Sequence, residues 1–221
     1  KLSLIFTILL TSSIAFTQNK EVVFNHMGYF DKQDRVEHYI KEYPNQQQAE
    51  MMNKWLENHD KATFSFSGLV NPLDSTVITP QATVDYGYNW FSVSEKPAIL
   101  STPNYSMFFS VSIFDMNHNV PVIVVNPAKP IVIARPGQTI PEGDYTIVYL
   151  ETDQGLVFTR MAVNNNLSEV ENLRDKIKLE GGKGDMDRAV QSFSPGVVKA
   201  GNTIIEAHIK DLKPSIAFGY Q

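Results

Sequence analysis

The stretch Met107–His118, MFFSVSIFDMNH, decides how this chain is read. Phe109, Val111 and Ile113 recur at every second position, and Phe108, Ser110, Ser112 and Phe114 fill the places between them. A period of two sends the two sets to opposite faces of a strand. The Phe109 set is uninterrupted by polar residues and is expected to face the core. The same texture runs outward in both directions. Strands are expected at Ala62–Phe66, Thr76–Thr79, Asp85–Val93, Ala98–Ser101, Met107–Phe114, Val122–Val125, Ile131–Ala134, Asp144–Leu150 and Leu156–Val163. Turn formers separate them, among them Asn71-Pro72, Asn126-Pro127, Arg135-Pro136-Gly137 and Pro141-Glu142-Gly143. Short strands in close succession, with no helices between them, favour an antiparallel sandwich or barrel.

The period changes at both ends. Val36, Tyr39, Ile40 and Tyr43, then Ala49, Met52, Trp55 and Leu56, recur at spacings of three and four. Pro44 lies between the two groups and is expected to divide them into two helices. After the β region, Ser168 and Glu171 can form a capping box before the stripe Val170, Leu173 and Ile177, with Gly181-Gly182 as the stop. Weaker helical character surrounds Thr203–Leu212, and Pro214 is expected to end it. The expected fold class is therefore mainly β: an antiparallel β-sandwich with an N-terminal helical pair and one C-terminal helix. The segments are 1–18 as a signal, 19–61 as helical, 62–180 as the β domain and 181–221 as a connector.

Composition narrows the function. The 221 residues are 43% hydrophobic and 19% charged, with a net charge of −5. A net negative chain without a Lys/Arg cluster argues against a nucleic-acid partner. The chain contains no cysteine, which excludes disulfides, thiolate metal sites and cysteine nucleophiles. At the start, Lys1 precedes the apolar run Leu2–Leu10 and then the small and polar residues Thr11, Ser12, Ser13, Ala15 and Thr17. That order is the signature of a secretory signal, cut between about Phe16 and Lys20. The run is too short to span a bilayer comfortably, and no later segment is long and apolar enough. The protein is expected to be exported, to the periplasm or beyond.

Candidate chemistry is sparse. His26, His38, His59, His118 and His208 show no paired ligand spacing, and no Gly-x-Ser-x-Gly elbow occurs. Asp115, Asn117 and His118 are grouped at the end of the central strand. They are candidate metal ligands, Asp and Asn oxygens suiting Ca²⁺ and an added His nitrogen suiting Zn²⁺; equally, Asp115 and Asn117 can cap a turn. Arg160 interrupts an apolar strand, and either reaches solvent or meets a carboxylate such as Asp115. Tyr86, Tyr88 and Trp90 share a strand face, as core or as a platform for a sugar or another flat small molecule. Tyr88, Trp90 and Arg160 are thus ligand-binding candidates. Asp115, His118 and Tyr86 are catalytic candidates for a hydrolase or a metal-dependent enzyme. No cofactor is required by any motif, and oligomeric state is not legible.

Several blocks together resemble a bacterial family of unknown function, DUF1254. They are Tyr86–Pro97 with its closing proline, the apolar strand Ala98–Pro103, Phe108–Asp115, then His118 and Pro121. Leu156–Val163 with Arg160 and the helix Leu173–Ile177 complete the order. Many members carry Asn-x-Asp-Thr-Leu-Tyr before the first of these blocks; here Gln81–Tyr86 keeps only the tyrosine. The resemblance implies a β-rich sandwich and frequent export, with no established general reaction. It also implies a second domain, DUF1214, most of which is expected to be missing here. The leading functional expectation is an exported ligand-binding or structural module.

Overall fold

The computed structural model describes residues 32–71, 81–188 and 192–211. Helix α1 (residues 32–56) is followed by strands β1 (Ser65–Leu69), β2 (Val84–Ser92), β3 (Ala98–Ser101), β4 (Phe109–Asp115), β5 (Val122–Val125), β6 (Ile131–Ala134), β7 (Thr146–Tyr149) and β8 (Gln154–Ala162). Helix α2 (Leu167–Arg174), strand β9 (Lys178–Glu180) and helix α3 (Pro195–Asp211) complete the described residues. The chain divides into two units: Lys1–Tyr43 with Gln191–Gln221, and Pro44–Val190.

The larger unit is mainly β and holds two sheets. One has five antiparallel strands in the order β1-β2-β8-β4-β5. The other has four, in the order β7-β6-β3-β9. The expectation of purely antiparallel pairing is corrected here, because β6 and β7 run parallel. The eleven residues between them provide the crossover that a parallel pair requires. Phe91, Phe109, Val111, Ile113, Val157 and Met161 of the first sheet join Ala98, Leu100, Ile131, Ile133 and Val148 of the second in one buried apolar cluster. The alternation read in Phe109, Val111 and Ile113 is the reason: all three are fully buried. β5 is an edge strand, and its Ile123 and Val125 turn away from this core to solvent.

Further departures from expectation have local causes. Strand Thr76–Thr79 lies outside the described residues. β9 was not anticipated, since three residues carry no readable period. The N-terminal helical pair is instead the single helix α1, which continues through Pro44. One missing N–H is tolerated because both halves are anchored: Val36 and Tyr39 pack with Val197, while Ala49 and Met52 pack in a separate cluster. Two helices, not one, follow the β region. In α2 the cap is Asn166, whose side chain accepts from the Glu169 N–H; Ser168 lies inside the helix. The helix ends at Arg174, so Gly181 and Gly182 turn the chain after β9 instead. Helix α3 begins earlier than expected, with Pro195 at its first position, where the missing N–H has no intrahelical partner to lose.

Candidate functional site

The register of the five-stranded sheet fixes what shares its outer face. Tyr86 lies opposite Arg160, which lies opposite Ser110; Tyr88 lies opposite Phe158, which lies opposite Ser112; Trp90 lies opposite Leu156. The rungs place rings side by side. Tyr86 stacks on Phe158 with centroids 5.4 Å apart, and Tyr88 lies 5.1 Å from the same ring. Phe114 meets Phe158 edge-on at 6.4 Å. From α1, Trp55 reaches Tyr88 at 5.5 Å and stacks on His59 at 4.2 Å.

Arg160 is exposed in this setting. Its guanidinium lies 4.9 Å over the Phe158 ring. Among the described residues it has no ion pair. The attraction between cation and ring holds the planar group against the aromatics and leaves its N–H donors available. Burial pushes the Tyr88 phenol pKa up, neighbouring Tyr86 raises it further, and Arg160 acts in the opposite sense. Tyr88 therefore remains a neutral hydroxyl at ordinary pH. Tyr86 accepts a 2.7 Å hydrogen bond from the Gln81 N–H. Trp90 sits at the covered end, packed under α1 with Ala49, Met52, Met116 and Met186. Its surface is already used for packing.

The Asp115 group has a different character. The Asp115 carboxylate is buried, and both its oxygens accept: Oδ1 from the N–H groups of Asn117 and Asn119 at 2.8 and 2.9 Å, Oδ2 from the Asn119 amide at 3.0 Å. These bonds close the turn between β4 and β5. The Asp115 carbonyl accepts from Gln48 at 2.8 Å, which ties the turn to α1. His118 adopts a positive φ of 61°, and its Nε2 is 2.7 Å from the Pro44 carbonyl. A carbonyl only accepts, so Nε2 carries the proton. Asn117 takes part through its backbone. Among the described residues no three His, Asp or Glu side chains are grouped to hold a metal ion.

The structure does not bring the catalytic candidates together. Tyr86 shares a rung with Ser110, whereas Asp115 pairs with Gly155, five residues further along β4 and about 17 Å away at strand rise. The expected Asp115–Arg160 partnership is corrected for the same reason. The buried carboxylate of this sheet that does meet a cation is Asp85, paired with half-buried Arg174 of α2 at 2.9 Å. Sequence reasoning missed Phe158, Trp55 and His59. Phe158 was within reach, being two residues from Arg160 on the same strand face. Trp55 shows in the sequence only as part of a helical stripe, because helical spacing says which face a residue occupies and nothing about what lies beyond its edge.

Comparison with known proteins agrees with the resemblance read from the blocks between Tyr86 and Ile177. No curated protein matches the chain. The fold is similar to the crystal structure of the VPA0106 protein from Vibrio parahaemolyticus, with a TM-score of 0.54 and 17% identity over 74% of this chain and 43% of that one. The chain thus spans less than half of that protein's length. A structure of an uncharacterised protein from Burkholderia cenocepacia matches at a TM-score of 0.37 and 12% identity, over 78% of this chain and 54% of that one. Residues 62–181, more than half of the chain, match the family described as Protein of unknown function (DUF1254), and the protein belongs to that family.

Proposed function

We propose that the protein is a binding module whose outer sheet face takes a flat, negatively charged small molecule. The observation that carries this reading is Arg160: an exposed guanidinium, without an ion pair among the described residues, held over Phe158 beside Tyr86 and Tyr88. A planar ring can stack on these side chains, and a carboxylate can meet the fork of the guanidinium in two parallel hydrogen bonds. Tyr88, kept protonated, adds a donor. A pyranose would use the same rings but gain less from the cation. A catalytic reading draws no comparable support, since Asp115 is engaged in its turn and Tyr86 lies far from it. We also propose that the protein works outside the cytoplasm. The charge and apolar order of Lys1–Thr17 supports this, and N-terminal sequencing of exported protein tests it.

Both tryptophans of the chain, Trp55 and Trp90, lie on this face, so intrinsic fluorescence reports on it. Titration with benzoate, benzamide and a methyl glycoside is the test. Saturable quenching by benzoate, weakened about tenfold or more in Arg160→Ala, is expected, the loss being that of a charge-assisted bond. Saturation by the glycoside alone would replace the anion with a sugar. No saturation by any of the three, in protein shown to be folded, overturns the reading.

A further inference from the structure

Asn89 faces the interior from the middle of β2, opposite Val157. It is fully buried, and among the described residues neither its Oδ1 nor its Nδ2 has a hydrogen-bond partner. The surrounding core is apolar: Phe91 precedes the turn on the same strand face, and Ile113 lies across β8 on the same rung. A primary amide offers two donors and an acceptor. Leaving all of them unmet in such a place costs more than most single interactions in a protein return. One other polar side chain lies close on the same inner face. Thr159 is 1% exposed, and its register partner is Gly87, two residues from Asn89. Its hydroxyl has only a long contact, 3.5 Å, to the Gly87 carbonyl. Asn89 and Thr159 are therefore diagonal neighbours across the β2–β8 pair, a spacing that one interposed molecule can bridge.

We propose that Asn89 and Thr159 form an internal hydration site, in which water between the two sheets bonds the Asn89 amide and the Thr159 hydroxyl. Buried waters in proteins are held in this way, by two to four otherwise unsatisfied polar groups. Direct bonding between the two residues would satisfy only one of the three amide sites. The guest must be small, because the Thr159 side is crowded: a Cβ built at Gly87 would already stand 2.4 Å from the Thr159 hydroxyl and 2.7 Å from the Phe66 ring. It must also be both donor and acceptor, which water is. The site is separate from the outer aromatic face and does not depend on what that face binds.

Two measurements decide the matter. A crystal structure at about 1.8 Å or better should show ordered density within about 3 Å of the Asn89 amide and the Thr159 hydroxyl. A dry Asn89 in that map overturns the proposal. Independently, Asn89→Val and Thr159→Val should each lower the melting temperature by about 2–4 °C for each water-mediated bond lost. A rise in Asn89→Val is the signature of removing a dry, desolvated amide and also overturns it. Should Asn89→Val fail to fold, the map and Thr159→Val remain decisive.

Discussion

Asp115 illustrates how a conspicuous residue can serve structure. Three N–H donors converge on its buried carboxylate, two of them backbone groups. Asp115→Ala should destabilise the protein by about 3 kcal/mol, as expected when a charged acceptor is lost from a closed turn. Arg160→Ala should cost less than about 1 kcal/mol, the range of an exposed cation over a ring. In denaturant unfolding the double variant should equal the sum of the two within about 0.5 kcal/mol, as for separated sites. A larger coupling would contradict the register. Tyr88 gives a prediction in pH. Its folded pKa is raised above the unfolded value of 10.0, chiefly by burial. Between those values the folded state holds a proton that the unfolded state has released. Stability is therefore fully present below pH 10 and falls as pH rises through the folded pKa. Since Arg160 opposes that rise, Arg160→Gln should move the Tyr88 titration further upward. Spectrophotometric titration of tyrosinate, with Tyr88→Phe as the difference control, measures it.

At the scale of elements, Pro44 stands within α1 and supplies no N–H to the helix ladder. Pro44→Ala restores that donor and relieves the ring's contact with the preceding turn. It should raise stability by about 1 kcal/mol or more and slow amide exchange in residues 45–48, read by mass spectrometry. Unchanged exchange would mean that the lost bond is met in another way. Pro44 also marks a limit of what the sequence could tell. Proline predicts a break from local chemistry, yet clusters on either side keep the helix whole, and those clusters include Val197 and Met116, far along the chain. Alternation within one strand was legible, as Phe109, Val111 and Ile113 attest. Pairing was less so. That β7 joins β6 in parallel, and that β9 exists at all, depends on partners that no period within the strand encodes. For the candidate site, Tyr88 and Arg160 were visible as single residues. Their meeting at Phe158 is a matter of register and emerges only from the assembled sheet.

At the scale of the whole molecule, the apolar interior is partitioned. The cluster between the two sheets and the one beneath residues 49–56 lie wholly within Pro44–Val190, while Val36, Tyr39 and Val197 form a cluster in the other unit. A fragment of residues 44–190 should therefore fold alone, with a cooperative thermal transition and the strand signal of the full chain. A fragment without cooperativity would show that the smaller unit is needed to complete the larger. The mild negative charge and the absence of cysteine make this fragment straightforward to handle without reductant.

The edge strand β5 carries a further consequence. Val122–Val125 is a row of four β-branched residues whose outer hydrogen-bonding side meets no strand among the described residues, and Ile123 and Val125 are 62% and 55% exposed. Such an edge is a template for aggregation. Pro121 and Pro127 bracket it so closely that only five residues lie between them, shorter than the segment of about six or seven that forms a fibril-like stack. These prolines are gatekeepers of colloidal behaviour. Replacing both with threonine should leave the folded structure in place while shortening the lag before turbidity on prolonged incubation at high concentration. The protein's solubility would then rest on two rings, exposed Pro121 and buried Pro127, that lie just outside the β5 ladder itself.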